Sequence, residues 1–389
     1  MTRVEATAGT RGEKFLFNLR ELGGALGDLG TLLPLMLGAI ALVGLAPAPV
    51  MIGFAVFYIS TALYYRLPIP VQPMKAVAAV LLTSGIMPAG LAVSGVMIGA
   101  VLLVLGTTGW ITRIARVVPQ SVLAGLQAGL GLTLALVSLD MMATSPPIAL
   151  ATLGLLVGFL FAPRFPSALI GLAAAIALAQ LLDVPGMPFG TVEAVAFPIP
   201  PLPTFAELER AISLYVLPQL ALTFTNAILL TALVAGDYFG ERASHVTPAR
   251  LSVTSGLANL ALTPFGALPM CHGAGGLAAH YRFGARSGTA PLVLGAALLL
   301  FALLPDGLGV AALAAIPAAG LGALLLMASG ELAFSKRLFD SKPSCWPVIA
   351  VTAGVTVWAD PFWALLAGSV AELIRMAIVR LLMHRKAKI

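Results

Sequence analysis

The sequence predicts an all-α polytopic membrane protein of 14 transmembrane segments arranged as two inverted seven-segment repeats, and three observations lead there. Of 389 residues, 59% are hydrophobic and 10% are charged, with a mean hydropathy of +1.01. That is too little charge to cover the surface of a soluble core. Basic residues gather in alternate loops between the apolar runs, as cytoplasmic loops do. A Pro-Met pair opens a short apolar segment in each half of the chain.

Many of the apolar runs continue for about 18 to 25 residues, the length that crosses roughly 30 Å of hydrocarbon. With Gly, Pro and charge taken as breaks, the first half predicts spans over 22–42, 48–65, 72–84, 89–110, 118–140, 147–162 and 166–182. After a Pro-rich stretch from Val184 to Pro203, the second half predicts 212–234, 249–263, 269–280, 289–304, 308–329, 345–358 and 361–382. Segments 72–84 and 269–280 are too short to cross at about 1.5 Å per residue, and are expected to be half-helices at segments 3 and 10. The organisation that follows is a cytoplasmic N-terminal segment (1–21), a first repeat (22–183), an extracytoplasmic linker (184–211), a second repeat (212–382) and a cytoplasmic tail (383–389). No C-terminal regulatory domain is expected.

Charge tests the count independently. With the N-terminus inside, the cytoplasmic loops hold Arg66, Arg113 with Arg116, Arg164, Arg242 with Arg250, Arg282 with Arg286, and Lys336, Arg337 and Lys342. Arg3, Arg11, Lys14 and Arg20 at the start, and Arg375, Arg380, Arg385, Lys386 and Lys388 at the end, leave only Arg210 outside and Lys75 within a span. The outer loops carry Asp183, Glu193, Glu207, Glu209, Asp306 and Asp360. An error in the count would scramble this alternation. The net charge of +6 is spread singly over short loops, so it reports topology, and no nucleic-acid partner is expected. The two cysteines, Cys271 and Cys345, have neither disulfide nor metal-ligand spacing. No signal peptide is read at the N-terminus. The location expected is the cell's inner membrane, with both termini cytoplasmic.

The repeated motif is Pro70-Val-Gln-Pro-Met-Lys-Ala-Val-Ala-Ala against Leu268-Pro-Met-Cys-His-Gly-Ala-Gly-Gly, offset by 196 residues when Pro73 is laid on Pro269. Both fall on the third segment of a seven-segment half, and an odd number of spans per half inverts the second copy. A helix that starts inside the membrane exposes unpaired amides and the positive end of its dipole, a setting that binds anions. The candidate amides are those of Met74, Lys75 and Ala76, with Gln72 as a further donor, and of Cys271, His272 and Gly273. The glycines at 273, 275 and 276 allow a ligand or a helix to approach the backbone closely. Two facing helix starts suit a tetrahedral anion. The competing reading is that Gly and Pro here serve tight helix packing alone.

Lys75 is a basic residue inside an apolar span and needs a function or a partner; it faces substrate or snorkels toward the inner surface. Asp28, in the first span, is the candidate coupling group, with Thr31 beside it. A permanent ion pair with Lys75 and a hydrogen bond to broken backbone are the alternatives. Thr223, Thr225 and Asn226 fall near the position of Asp28 under the same offset. Thr223 and Asn226 are candidate substrate ligands, although such side chains also bridge membrane helices. His272 is a candidate donor to an oxyanion or carrier of protons, or a structural hydrogen-bonder. Arg282 and Arg286 fit the basic-inside pattern, with attraction of anions as a second reading.

Three stretches, Leu26-Gly-Asp-Leu-Gly-Thr-Leu-Leu-Pro, Pro70-Val-Gln-Pro-Met-Lys-Ala, and the long Phe265-Gly-Ala-Leu-Pro-Met-Cys-His-Gly-Ala-Gly-Gly-Leu-Ala-Ala-His-Tyr-Arg-Phe-Gly-Ala-Arg-Ser-Gly, resemble the molybdate transporter family related to the sulfate permeases. The resemblance runs from about residue 20 to 382. It implies seven plus seven inverted segments divided into core and gate domains, with a substrate site between the third and tenth segments beside the first and eighth. It also implies secondary active import of an oxyanion, molybdate first, with proton coupling and a homodimer. By the resemblance Asp28 matches an acidic coupling position, whereas Asn226 stands where many sulfate permeases carry a carboxylate. That departure puts sodium or proton coupling through the eighth segment in doubt.

Other function classes lack their signatures. No HExxH, no GxSxG and no paired carboxylates with His on one membrane face are present, so neither an enzyme nor a cofactor or metal is expected. No ring of repeated charge marks a channel. Sulfate is the alternative substrate, being a tetrahedral dianion like molybdate.

Overall fold

A computed structural model describes residues 15–84, 88–114, 119–161, 166–187, 204–304 and 308–386. Arg3, Arg11, Lys14, Arg116, Arg164, Glu193, Asp306 and Lys388 lie outside the described residues, as does most of the Pro-rich stretch, 188–203. The first half holds α1 (Leu19–Val43), α2 (Pro47–Tyr65), β1 (Gln72–Pro73), α3 (Lys75–Ser84), α4 (Pro88–Thr108), α5 (Gln120–Ala143), α6 (Pro146–Leu160) and α7 (Ser167–Leu181). The second holds α8 (Phe205–Ala243), α9 (Pro248–Leu262), β2 (Met270–Cys271), α10 (Ala274–Arg282), α11 (Thr289–Leu303), α12 (Leu308–Ala314), α13 (Ala318–Ala333), α14 (Trp346–Trp358) and α15 (Pro361–Lys386).

The chain is a multi-pass membrane protein. Among the described residues, seven helices are long and apolar enough to cross a bilayer, and four shorter helices are also apolar. α15 turns Val370, Leu373, Ile374 and Leu381 outward, where a helix facing water would carry polar residues.

Helix starts follow local chemistry. Pro47, Pro146 and Pro248 sit in first turns, where a missing N–H costs nothing. Thr204 and Glu207 form a reciprocal capping box. α8 therefore starts at Phe205 and not at 212, and it takes in the end of the expected linker. Farther along, Pro218 cannot donate to the carbonyl of Leu214 and its ring crowds that carbonyl. The helix widens into π turns over Ile212–Val216 and again over Thr223–Leu230.

Two further expectations need correction. The span expected over 308–329 is two helices, α12 and α13, because Pro317 disfavours helical backbone at Ile316 and opens α13 as its N-cap. The tail expected from 383 is helical as far as Lys386.

Packing sorts the helices into two groups. In one, α4 lies along α9, α2 along α11, and α8 against α3, α4 and α10. At the crossing of α4 and α9, a Cβ on Gly99 would stand 2.9 Å from the carbonyl oxygen of Gly256, so only glycine permits that approach. In the other group α13 and α14 both pack on α5, α6 and α7 pack on α13, and α15 closes on α14. The groups meet chiefly where α13 touches α1 and where α5 touches α3.

The fold is not purely helical. β1 and β2 pair antiparallel, Gln72 with Cys271 and Pro73 with Met270, and the amide of Met74 extends the ladder to the carbonyl of Pro269 at 2.9 Å. The reason is that extended backbone in an apolar interior must find partners. Asn259 of α9 supplies more of them. Its Oδ1 accepts from the amide of Met270 at 3.0 Å and its Nδ2 donates to the carbonyl of Met270 at 2.6 Å. Replacing Asn259 by Leu orphans both groups of Met270. We expect a loss of about 2 kcal/mol of stability, seen as a lower Tm of the detergent-purified protein; an unchanged Tm would show that the crossing holds without this clamp.

Candidate functional site

The two strands lead into two short helices. α3 has 10 residues and α10 has 9, about 15 Å and 13.5 Å long. Both start at the crossing.

Around these starts lies a small cavity lined by Gln72, Pro73, Lys75, Gln127, Gln219, Leu222, Thr223, Asn226, Ala227, Cys271, His272, Gly273 and Leu332. Gln127 and Leu332 come from α5 and α13, so both packing groups contribute. Its volume of about 20 Å³ admits roughly one water molecule; a tetrahedral oxyanion needs it to widen.

Of the residues expected from sequence to bind substrate, Gln72, Lys75, Thr223, Asn226, Cys271, His272 and Gly273 line this cavity. Met74 and Ala76 are fully buried and do not. Their amides are engaged, that of Met74 by Pro269 and that of Ala76 by the Oε1 of Gln219 at 2.9 Å.

The ring of His272 is engaged at both nitrogens. Nδ1 lies 2.9 Å from the carbonyl of Pro70 and Nε2 lies 2.9 Å from the hydroxyl of Thr254. A carbonyl only accepts, so Nδ1 carries the proton, and Nε2 pairs with the hydroxyl of Thr254. The hydroxyl of Tyr65 stands 2.9 Å behind Thr254 and completes a relay from Tyr65 to the backbone at Pro70, just ahead of β1. In this arrangement neither nitrogen is open to an anion.

Asp28 lies beneath the crossing, 1% exposed. Its Oδ1 accepts from the Nε2 of Gln72 at 2.5 Å, while Oδ2 has no hydrogen-bond partner among the described residues. Asp28 and Thr31 face a second, larger cavity of about 660 Å³, which Lys75, Glu331, Tyr238, Tyr281 and Arg282 also line. Thr31 does not reach the small cavity, and Lys75 lines both. Arg286 is held by its own neighbourhood. Its guanidinium donates to the carbonyls of Tyr281 and Ala285 and lies over the Tyr281 ring at 3.7 Å.

The sequence reading missed Gln127, Gln219 and Leu332 in the small cavity and Glu331 in the large one. For Gln219 a signal was available, since it stands four residues before Thr223 and so on the same face of one helix.

A family model described as a molybdate transporter of the MFS superfamily matches residues 20–134 and 211–332. The chain belongs to this molybdate transporter family. The two matched stretches contain every residue that lines the small cavity. Molybdate transporter 2 of Arabidopsis thaliana is 30% identical, the match covering 87% of this chain and 82% of that protein. Molybdate transporter 1 of Chlamydomonas reinhardtii is 27% identical over 80% of this chain and 83% of its own. In three dimensions the chain is similar to the transmembrane domain of the cyanobacterial bicarbonate transporter BicA, with a TM-score of 0.68 at 17% identity, covering 90% of this chain and 97% of that one. It is also similar to the murine Slc26a9 anion transporter in the inward-facing state, with a TM-score of 0.69 at 14% identity over 94% and 69% of the two chains. At these identities the likeness concerns the fold.

In this member of the molybdate transporter family, close packing joins Asp28 to the start of α10. A Cβ on Gly276 would lie 2.7 Å from both the Oδ2 of Asp28 and the Nε2 of Gln72, whereas one on Gly275 meets nothing within 4 Å. Gly276→Ala is expected to push Asp28 and Gln72 apart and lower the Tm in detergent by several degrees, while Gly275→Ala leaves it unchanged. Equal tolerance of the two substitutions would show that the Asp28–Gln72 contact is soft.

Proposed function

We propose that the protein is a secondary active transporter that imports a tetrahedral oxyanion, molybdate first, coupled to protons across the cell's inner membrane, with both termini cytoplasmic. The carrying observation is the convergence of two short helix starts on one cavity shared by both packing groups, in a chain of the molybdate transporter family. In this reading α3 and α10 are half-helices of two inverted seven-segment repeats, and their amides and dipoles provide the positive potential an oxyanion needs. Lys75 adds a full charge. Gln72, Thr223 and Asn226 supply neutral groups, and the backbone around Cys271 and Gly273 supplies the opposing side.

The two packing groups act as core and gate. Because substrate contacts come mainly from one group while Gln127 and Leu332 come from the other, a rigid shift of one against the other opens and closes the site. The larger cavity is bordered by Phe159, Pro166, Arg282 and Phe283, residues beside the basic loops assigned to the cytoplasm, so it is read as the inward path.

Asp28 is read as the coupling group. Its Oδ2 is the atom that takes the proton in this reading, and its bond to Gln72 links that proton to a side chain of the substrate cavity. A homodimer in the bilayer completes the proposal.

Calorimetric titration of the purified protein with molybdate, tungstate and sulfate, followed by uptake into liposomes with and without an inward proton gradient, tests this reading. Molybdate and tungstate are expected to bind at least tenfold more tightly than sulfate, with uptake stimulated by the gradient. Asp28→Asn should abolish that stimulation and leave binding within a fewfold of the original. Preference for sulfate would transfer the site to the other dianion, and absence of oxyanion binding would remove the function. Stimulated uptake persisting in Asp28→Asn would remove the coupling role.

A further inference from the structure

We propose that Gln219 is a built-in occupant of the oxyanion position at the start of α3, which substrate must displace, so that this side chain sets affinity. The inference rests on the site proposed above. Gln219 is 2% exposed. Its Oε1 accepts from two successive amides, those of Ala76 at 2.9 Å and Val77 at 3.3 Å, and its Nε2 donates to the hydroxyl of Thr223 at 2.8 Å. Two neighbouring helix-start amides converging on one oxygen is the arrangement in which such a start holds an anion's oxygen. Here the oxygen belongs to the protein.

Three features assign this contact a part in binding beyond helix capping. First, Gln219 and Thr223 line the small cavity together with Lys75, Asn226 and Gly273, so the carboxamide takes space that an arriving ion needs. With room for about one water beside it, an oxyanion that takes the amides of Ala76 and Val77 must displace this side chain, and its three side-chain rotors allow that without moving the helix.

Second, the two helix starts are treated differently. Gln219 accepts from the amides of α3, whereas the Gln72 carboxamide packed against Gly273 and Gly276 at the start of α10 donates to Asp28, and no side-chain cap bond is made at Gly273.

Third, the chemistry of a carboxamide suits a displaceable plug. When the site is empty, an apolar residue at 219 would leave the amides of Ala76 and Val77 unpaired in an apolar interior. A carboxylate would hold them with charge-assisted bonds roughly twice as strong and would repel a dianion. The neutral amide satisfies the donors, yet yields to an ion that carries a full charge. Its release also frees the hydroxyl of Thr223 to turn to the substrate.

Molybdate titration of the purified full-length protein, with Tm measured before and after saturation, separates the possibilities. Gln219→Ala, and the similarly sized Gln219→Met, are expected to bind molybdate about tenfold more tightly. Both should have a lower Tm without ligand and a larger rise on saturation. Gln219→Glu should keep the ligand-free Tm and bind at least tenfold more weakly. Should the Ala variant fail to fold, the Met and Glu variants alone carry the comparison. If the unsubstituted protein binds molybdate while Ala and Met bind equally or more weakly, Gln219 is a direct ligand or a spectator and the inference falls alone. If the unsubstituted protein binds no oxyanion, the site itself falls.

Discussion

Backbone N–H and C=O groups cannot be left unpaired away from water, and this constraint governs the centre of the molecule. Around residues 70–74 and 269–273 the chain leaves the helical state among buried side chains. Each break is satisfied largely by the other. The strands exchange their hydrogen bonds, Met74 donates to Pro269, and His272 donates to Pro70. Asn259 then serves Met270 in the manner of a third strand. Two segments about 200 residues apart are thereby locked together, and the helices that follow must start from the same place.

What those helix starts share follows from that lock. Because α3 and α10 leave the crossing with their amides directed back toward it, the local field is positive although Lys75 is the only cation lining the small cavity. The side chains gathered there are mostly neutral hydrogen-bonding groups, which can shed one partner and take another at small net cost. Asp28 stands one hydrogen bond away, through Gln72, and opens on a different cavity. In the proposed function the substrate and the proton thus act in two cavities, joined by the Asp28–Gln72 bond and by Lys75, which lines both.

The same logic explains why polar residues in the second half differ in what they can do. His272 and Asn259 are spent on the backbone of the crossing, and Tyr65 and Thr254 extend that use. Gln219 and Thr223 are spent on each other and on the start of α3. The first set stabilises the scaffold in any state of the site. The second is attached to groups that an anion would also seek, and so is open to exchange.

How far the sequence alone reaches is clearest residue by residue. Membrane character, the shortness of the segments at 72–84 and 269–280 and the candidacy of Gln72, Lys75, Asn226 and Gly273 are all local properties. They depend on composition, on Pro and Gly, and on a polar residue in an apolar run, each readable in a short window. The start of α8 at Phe205 was also written locally, as the capping box of Thr204 and Glu207, but the apolar count passed over it. The break at Pro317 was overlooked in the same way. Only the tertiary structure decided that the ring of His272 meets Pro70 and Thr254, that Gln219 docks on α3, and that Gln127 and Leu332 close the cavity. Those are choices of partner between residues far apart in the chain. A buried donor must find some acceptor, but its type does not say which one; that is settled by the packing that brings the strands, and with them the helix starts, to a single point.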